Sequence, residues 1–112
     1  MLLSNRTRRQ ELYESFIGEA SKLYGDALVS NSPDNVEISK FIGLYVMLSR
    51  MRILSSRNVV DDAEKIIDVI AKTYSDPPKT WREVHGKGFH ELDILRHFSE
   101  TCRDDLKGRG SI

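Results

Sequence analysis

The sequence predicts an all-α fold: a four-helix up-and-down bundle with a short extra helical turn near Trp81. Three observations predict it. Apolar residues recur at about 100° per residue over several long segments. Cap and stop signals separate those segments, and no alternating strand pattern lies between them. Elements with one apolar stripe must lay it against one another, and four such helices do so most simply as a bundle.

The first helix, roughly 8 to 29, places Tyr13, Phe16, Ile17, Ala20, Leu23, Tyr24, Ala27 and Leu28 on one face. Gly18, Ser21 and Gly25 line its back, where small residues at such spacing usually sit in solvent. Ser32-Pro33-Asp34-Asn35 offers a cap followed by proline at the first helical position, opening a second helix that runs to about Ser55. Asn58 is positioned to cap the third helix, with Asp61 and Asp62 favoured in its first turn by the helix dipole. Val59, Val60, Ala63, Ile66, Ile67, Ile70 and Tyr74 form its stripe, and Asp76-Pro77-Pro78 ends it. Thr80-Trp81-Arg82-Glu83 reads as a capping box for a short helix that Gly86 or Gly88 would close. The last helix, roughly 89 to 107, groups Leu92, Leu95, Phe98, Cys102 and Leu106. The whole is read as one domain, 1–112, with flexible ends at 1–8 and 108–112.

The second helix departs from this pattern. Ile38, Phe41, Ile42, Leu44, Tyr45, Val46, Met47, Leu48, Met51, Ile53 and Leu54 point nearly all round it, leaving a narrow polar strip near Ser39, Gly43 and Arg50. A helix apolar on most sides is either the buried centre of its domain or half of an interface. Leu44, Met47, Met51 and Leu54 are the expected contact residues, with a fold-over of the Trp81 segment as the alternative cover. Arg52 lies in the middle of the strongest apolar face, between the directions of Phe41 and Tyr45, so it needs a carboxylate such as Asp61, Asp62 or Glu64.

The bulk numbers narrow the function. Seventeen basic and seventeen acidic residues cancel, so no global field draws the chain to nucleic acid. The arginine clusters (Arg6, Arg8 and Arg9; Arg50, Arg52 and Arg57) lack interleaved aromatic residues, and nucleic-acid binding is not expected. One cysteine excludes an internal disulfide and fits a reducing, cytoplasmic setting. Cys102 sits on the apolar stripe, where a small core residue is expected rather than a reactive thiol.

Gly86-Lys87-Gly88 lacks the spacing and the preceding strand of a phosphate loop, and no serine stands in a nucleophile elbow. All three histidines lie within residues 85 to 97. His90, Asp93 and His97 share a helix face at i, i+3 and i+7, a ligand set suited to iron or zinc. That face points away from the apolar stripe, beside Thr101 and Asp104, whereas bundle metal sites project into the core. A solvated polar face is expected; neither a metal, another cofactor nor a catalytic constellation is.

Gln10-Glu11-Leu12-Tyr13-Glu14-Ser15-Phe16-Ile17, Glu19 to Tyr24, LYVMLSRMRILSS (44–56), VVDDAEKII (59–67) and FSETCRDDL (98–106) together resemble a group of uncharacterised bacterial helical domains. The resemblance spans about residues 8 to 107. It implies a domain that commonly follows an N-terminal transmembrane segment, with no established activity and no functional residues to transfer. The sequence departs from that pattern in having no apolar run of about 18 residues. In such a setting Arg6, Arg8 and Arg9 would hold the N-terminal end at the inner membrane surface. The function expected is thus a non-enzymatic interaction module, self-associating as a dimer through the second helix, at the cytoplasmic face of a membrane in the parent protein.

Overall fold

Four helices form in the computed structural model, which describes residues 5–30, 38–77 and 93–110: α1 (Asn5–Val29), α2 (Ile38–Leu54), α3 (Arg57–Ser75) and α4 (Arg96–Gly110). They pack as an all-α bundle in which consecutive helices are neighbours. α1 and α3 are the central pair, each touching the other and both remaining helices; α2 and α4 lie on opposite flanks. The expected cap at Ser32-Pro33, the Thr80–Glu83 capping box, the Trp81 turn, Gly86, Gly88, His85, His90 and Leu92 lie outside the described residues.

The core follows the stripes. α1 contributes Leu12, Tyr13, Phe16, Ala20, Leu23 and Ala27; α3 contributes Val59, Ala63, Ile66, Ile67, Ile70 and Tyr74; α4 contributes Phe98 and Cys102. Phe16 and Phe98 meet with ring centroids 5.1 Å apart, and Tyr13 approaches the edge of Phe98 at 6.4 Å. Tyr74 donates a hydrogen bond to Asp26 Oδ2 at 2.5 Å, fixing α3 to α1 at the far end of the bundle. Gly18, Ser21 and Gly25 are exposed, and no neighbour comes within 4 Å of a Cβ built on either glycine.

Four boundaries differ from expectation. α1 begins at Asn5 and α4 runs to Gly110, each past the ends assigned from the sequence. α4 starts at Arg96, after a turn at Ile94-Leu95, so Asp93 precedes the helix and no helical register joins it to His97. The cap of α3 is Ser56, not Asn58, which moves Asp61 and Asp62 beyond the first turn. Ser56 makes no side-chain cap hydrogen bond; its N–H donates instead to Asp105 Oδ1 of α4 at 3.3 Å. A carboxylate from another helix therefore meets the positive end of the α3 dipole, a role expected of local residues.

Candidate functional site

The flank position of α2 decides which of its faces is available. Leu44, Leu48 and Met51 point inward at 1%, 0% and 0% exposure. Leu44 and Met51 are thus core residues, which corrects their assignment to a contact surface. Met47 and Leu54 are half-buried and line a groove of about 540 Å³ between α1 and α2, together with Arg8, Glu11 and Arg50. The open side of α2 carries Ile38, Ile42, Tyr45, Val46 and Ile53, which are 48–82% exposed. With Ser49 these residues fall at i, i+4, i+7, i+8, i+11 and i+15, forming one strip that contains no charge.

Arg52 borders this strip rather than standing in the core. Its Nη2 lies 3.9 Å from Glu64 Oε1, both side chains are about half exposed, and its Nη1 donates to Ser49 Oγ at 3.4 Å. The expected partner is present, but the pair belongs to the surface, where such pairs contribute little. Arg52 was the signal that this face is open: a guanidinium among isoleucines is solvated at far lower cost than it is buried.

Among the described residues the buried arginine is Arg9. Grouped by sequence with Arg6 and Arg8 as a membrane-facing cluster, it is 3% exposed and cannot face lipid from this position. Its Nε lies 3.4 Å from Asp105 Oδ2, an ion pair outside hydrogen-bond alignment. Tyr13 donates to the same oxygen at 2.7 Å. Because its single proton goes there, the Ser55 hydroxyl, 2.5 Å away, donates to the Tyr13 oxygen. Asp105 thus joins α1, the α2–α3 turn and the N-terminus of α3 to α4. Both charges were legible: Arg9 lies four residues before Tyr13, and Asp105 three after Cys102, so each extends a buried stripe.

Between α3 and α4 a polar cleft of about 430 Å³ is lined in part by Asp61, Asp62, Lys65, His97, Thr101 and Asp104. Asp62, 8% exposed, is its centre. Thr101 donates to its Oδ2 at 2.7 Å, His97 Nε2 lies 3.2 Å from the same oxygen, and Lys65 Nζ is 3.9 Å from Oδ1. His97 is therefore engaged with α3, not with Asp93, which is exposed. Among the described residues no group of three or more His, Cys, Asp or Glu side chains is arranged to hold a metal ion. Asp62 instead fastens the N-terminal half of α3 to α4.

Burial pushes the Cys102 thiol up to about 12, reinforced by the nearby Asp105 and Asp62 carboxylates. Burial likewise raises the Tyr13 phenol, partly opposed by the Ser55 hydrogen bond and aided by Asp105. Both groups stay protonated in the folded protein where the unfolded chain ionises. Their contribution is therefore complete below pH 9, the ordinary thiol value, and is lost as pH rises toward 12. We expect Cys102 alone to remove on the order of 1 kcal/mol by about pH 10. Urea midpoints measured from neutral to alkaline pH test this, and a Cys102→Ala variant should shift the onset upward. An unchanged midpoint would contradict it.

Among the described residues no helix is long and apolar enough to cross a membrane. The chain matches no known protein-family model, no curated protein and no solved structure.

Proposed function

We propose that this protein is a non-enzymatic helical interaction module that self-associates, two copies meeting through the outer face of α2. The carrying observation is the charge-free strip of Ile38, Ile42, Tyr45, Val46 and Ile53, open along the length of the helix. Single exposed apolar residues are ordinary; five on one continuous strip form the kind of patch that marks a contact site. Its surroundings favour a second helix: the strip has one small residue at Ser49 and no charged residue of its own, and Arg52, which donates to Ser49 Oγ from the border, is already accompanied by Glu64.

Light scattering over a wide concentration range tests the reading. A dimer is expected, and Ile42→Glu should weaken it by roughly 100-fold or more, because a two-fold interface carries every substitution twice. Ile42 is 57% exposed, so its replacement should leave the melting transition of the monomer in place. A natural-sequence protein that remains monomeric at every concentration rejects self-association.

A second reading has its own observation. α2 contains Lys40, Arg50 and Arg52 and no acidic residue, and Arg8 stands beside Arg50 at the groove. Aliphatic side chains bordered by arginine also suit an anionic lipid surface, each cation near the surface contributing about 1 kcal/mol. This agrees with a membrane-proximal, cytoplasmic setting of the kind that the resemblance implies, with Arg6 and Arg8 but not Arg9 facing lipid. Salt-sensitive co-sedimentation with phosphatidylserine vesicles is expected on this reading; equal recovery with neutral vesicles argues against it.

A further inference from the structure

We infer that the two copies pair antiparallel along α2, with the two-fold axis passing between Tyr45 and Val46. The inference rests on the self-association proposed above and adds the geometry of the pair. The strip is self-complementary about that midpoint. Antiparallel alignment sets Ile38 opposite Ile53, Ile42 opposite Ser49 and Tyr45 opposite Val46 of the second copy. Each larger side chain then meets an equal or smaller one, as interdigitating helix faces require. Parallel alignment would set Ser49 against Ser49 and Tyr45 against Tyr45 of the second copy, leaving a thin place beside a crowded one.

Charge selects the same direction. At 100° per residue, Arg50 and Arg52 lie on opposite borders of the strip, and α2 has no carboxylate. A parallel two-fold brings opposite borders together at equal height, so Arg50 of each copy would stand beside Arg52 of the other. The antiparallel two-fold brings like borders together at mirrored heights. The two Arg52 residues are then roughly 20 Å apart along the axis at 1.5 Å per residue, and the two Arg50 residues roughly 14 Å. Both separations exceed the screening length of about 10 Å at 0.1 M salt. Glu64 of the same chain already accompanies Arg52, so that border needs no partner charge.

Disulfide trapping decides the direction. Ile38→Cys and Ile53→Cys, at positions 71% and 82% exposed, are prepared as separate full-length chains and oxidised alone and mixed. The natural Cys102 is buried and stays silent. Ser21→Cys, an exposed position on α1 outside this face, sets the collisional background. The expected result is a covalent heterodimer in the mixture, several-fold above background, and neither homodimer. Homodimers from the separate chains, without the heterodimer, overturn the antiparallel arrangement and leave self-association standing. A dimer by light scattering with no trapped species above background overturns the use of this face. A strict monomer overturns the self-association reading itself.

Discussion

Asp105→Ala is expected to destabilise the protein by about 3–5 kcal/mol, the usual consequence of removing one partner from a buried ion pair. The substitution leaves Arg9 charged in the core at 3% exposure, removes the acceptor of the Tyr13 hydroxyl, and removes the carboxylate that accepts from the Ser56 N–H at the α3 N-terminus. Against the 5–15 kcal/mol typical of a domain, that is a large share of total stability. Urea denaturation at fixed protein concentration measures it. Arg9→Met combined with Asp105→Leu should recover much of the loss, since an apolar pair often replaces a buried salt bridge without penalty. Recovery should remain incomplete, because the Ser56 N–H then lacks its acceptor, at about 1–3 kcal/mol, whereas the Tyr13 hydroxyl can turn to Ser55 Oγ. A loss under about 1 kcal/mol for Asp105→Ala would show that Asp105 does not hold the three segments together.

Phe16→Ala should cost a comparable amount, about 3–5 kcal/mol, for a different reason. Phe16 is fully buried in α1 and lies against Phe98 of α4, with tilted rings 5.1 Å apart. Truncation removes apolar area and opens a cavity between helices that cannot close over it, because Arg9 and Tyr13, on the same face of α1, remain tied to Asp105 one turn and more away. For a domain of about 100 residues each kcal/mol lowers Tm by roughly 4–8 °C, so a fall of at least about 12 °C is expected. A drop of only a few degrees would mean that α4 packs on α1 through the polar node alone. The two variants therefore separate the apolar and polar parts of one junction, and their double variant should be non-additive because Asp105 and Phe98 share α4.

The outer face of α2 shows why the core of a bundle is easier to infer than its surface. On α1, α3 and α4 the apolar residues occupy one side, so period alone identifies the inward direction. The stripes of α1 and α3 reappear in the core, as do Phe98 and Cys102 of α4. On α2 nearly every direction is apolar, so period carries no direction. Leu44 and Met51 were assigned to the contact surface and prove to be core, while Ile38, Ile42, Val46 and Ile53 stand open. Their chemistry does not differ; only the placement of α2 on a flank of the α1–α3 pair distinguishes them.

By itself the sequence determined the helical class, the main stripes, the stop at Asp76 and the exclusion of an internal disulfide, because each depends on local spacing or on composition. Tertiary structure alone decided how charges were matched. Arg9 and Asp105 are 96 positions apart, and Asp62 meets Thr101 across 39. Local rules anticipated Asn58 as a cap and a histidine face of His90, Asp93 and His97. A long-range carboxylate satisfies the first site instead, and His97 turns to Asp62. The physical reason is common to both. Periodicity reports which side of a helix is dry, whereas the partner of a buried charge is set by which helices become neighbours.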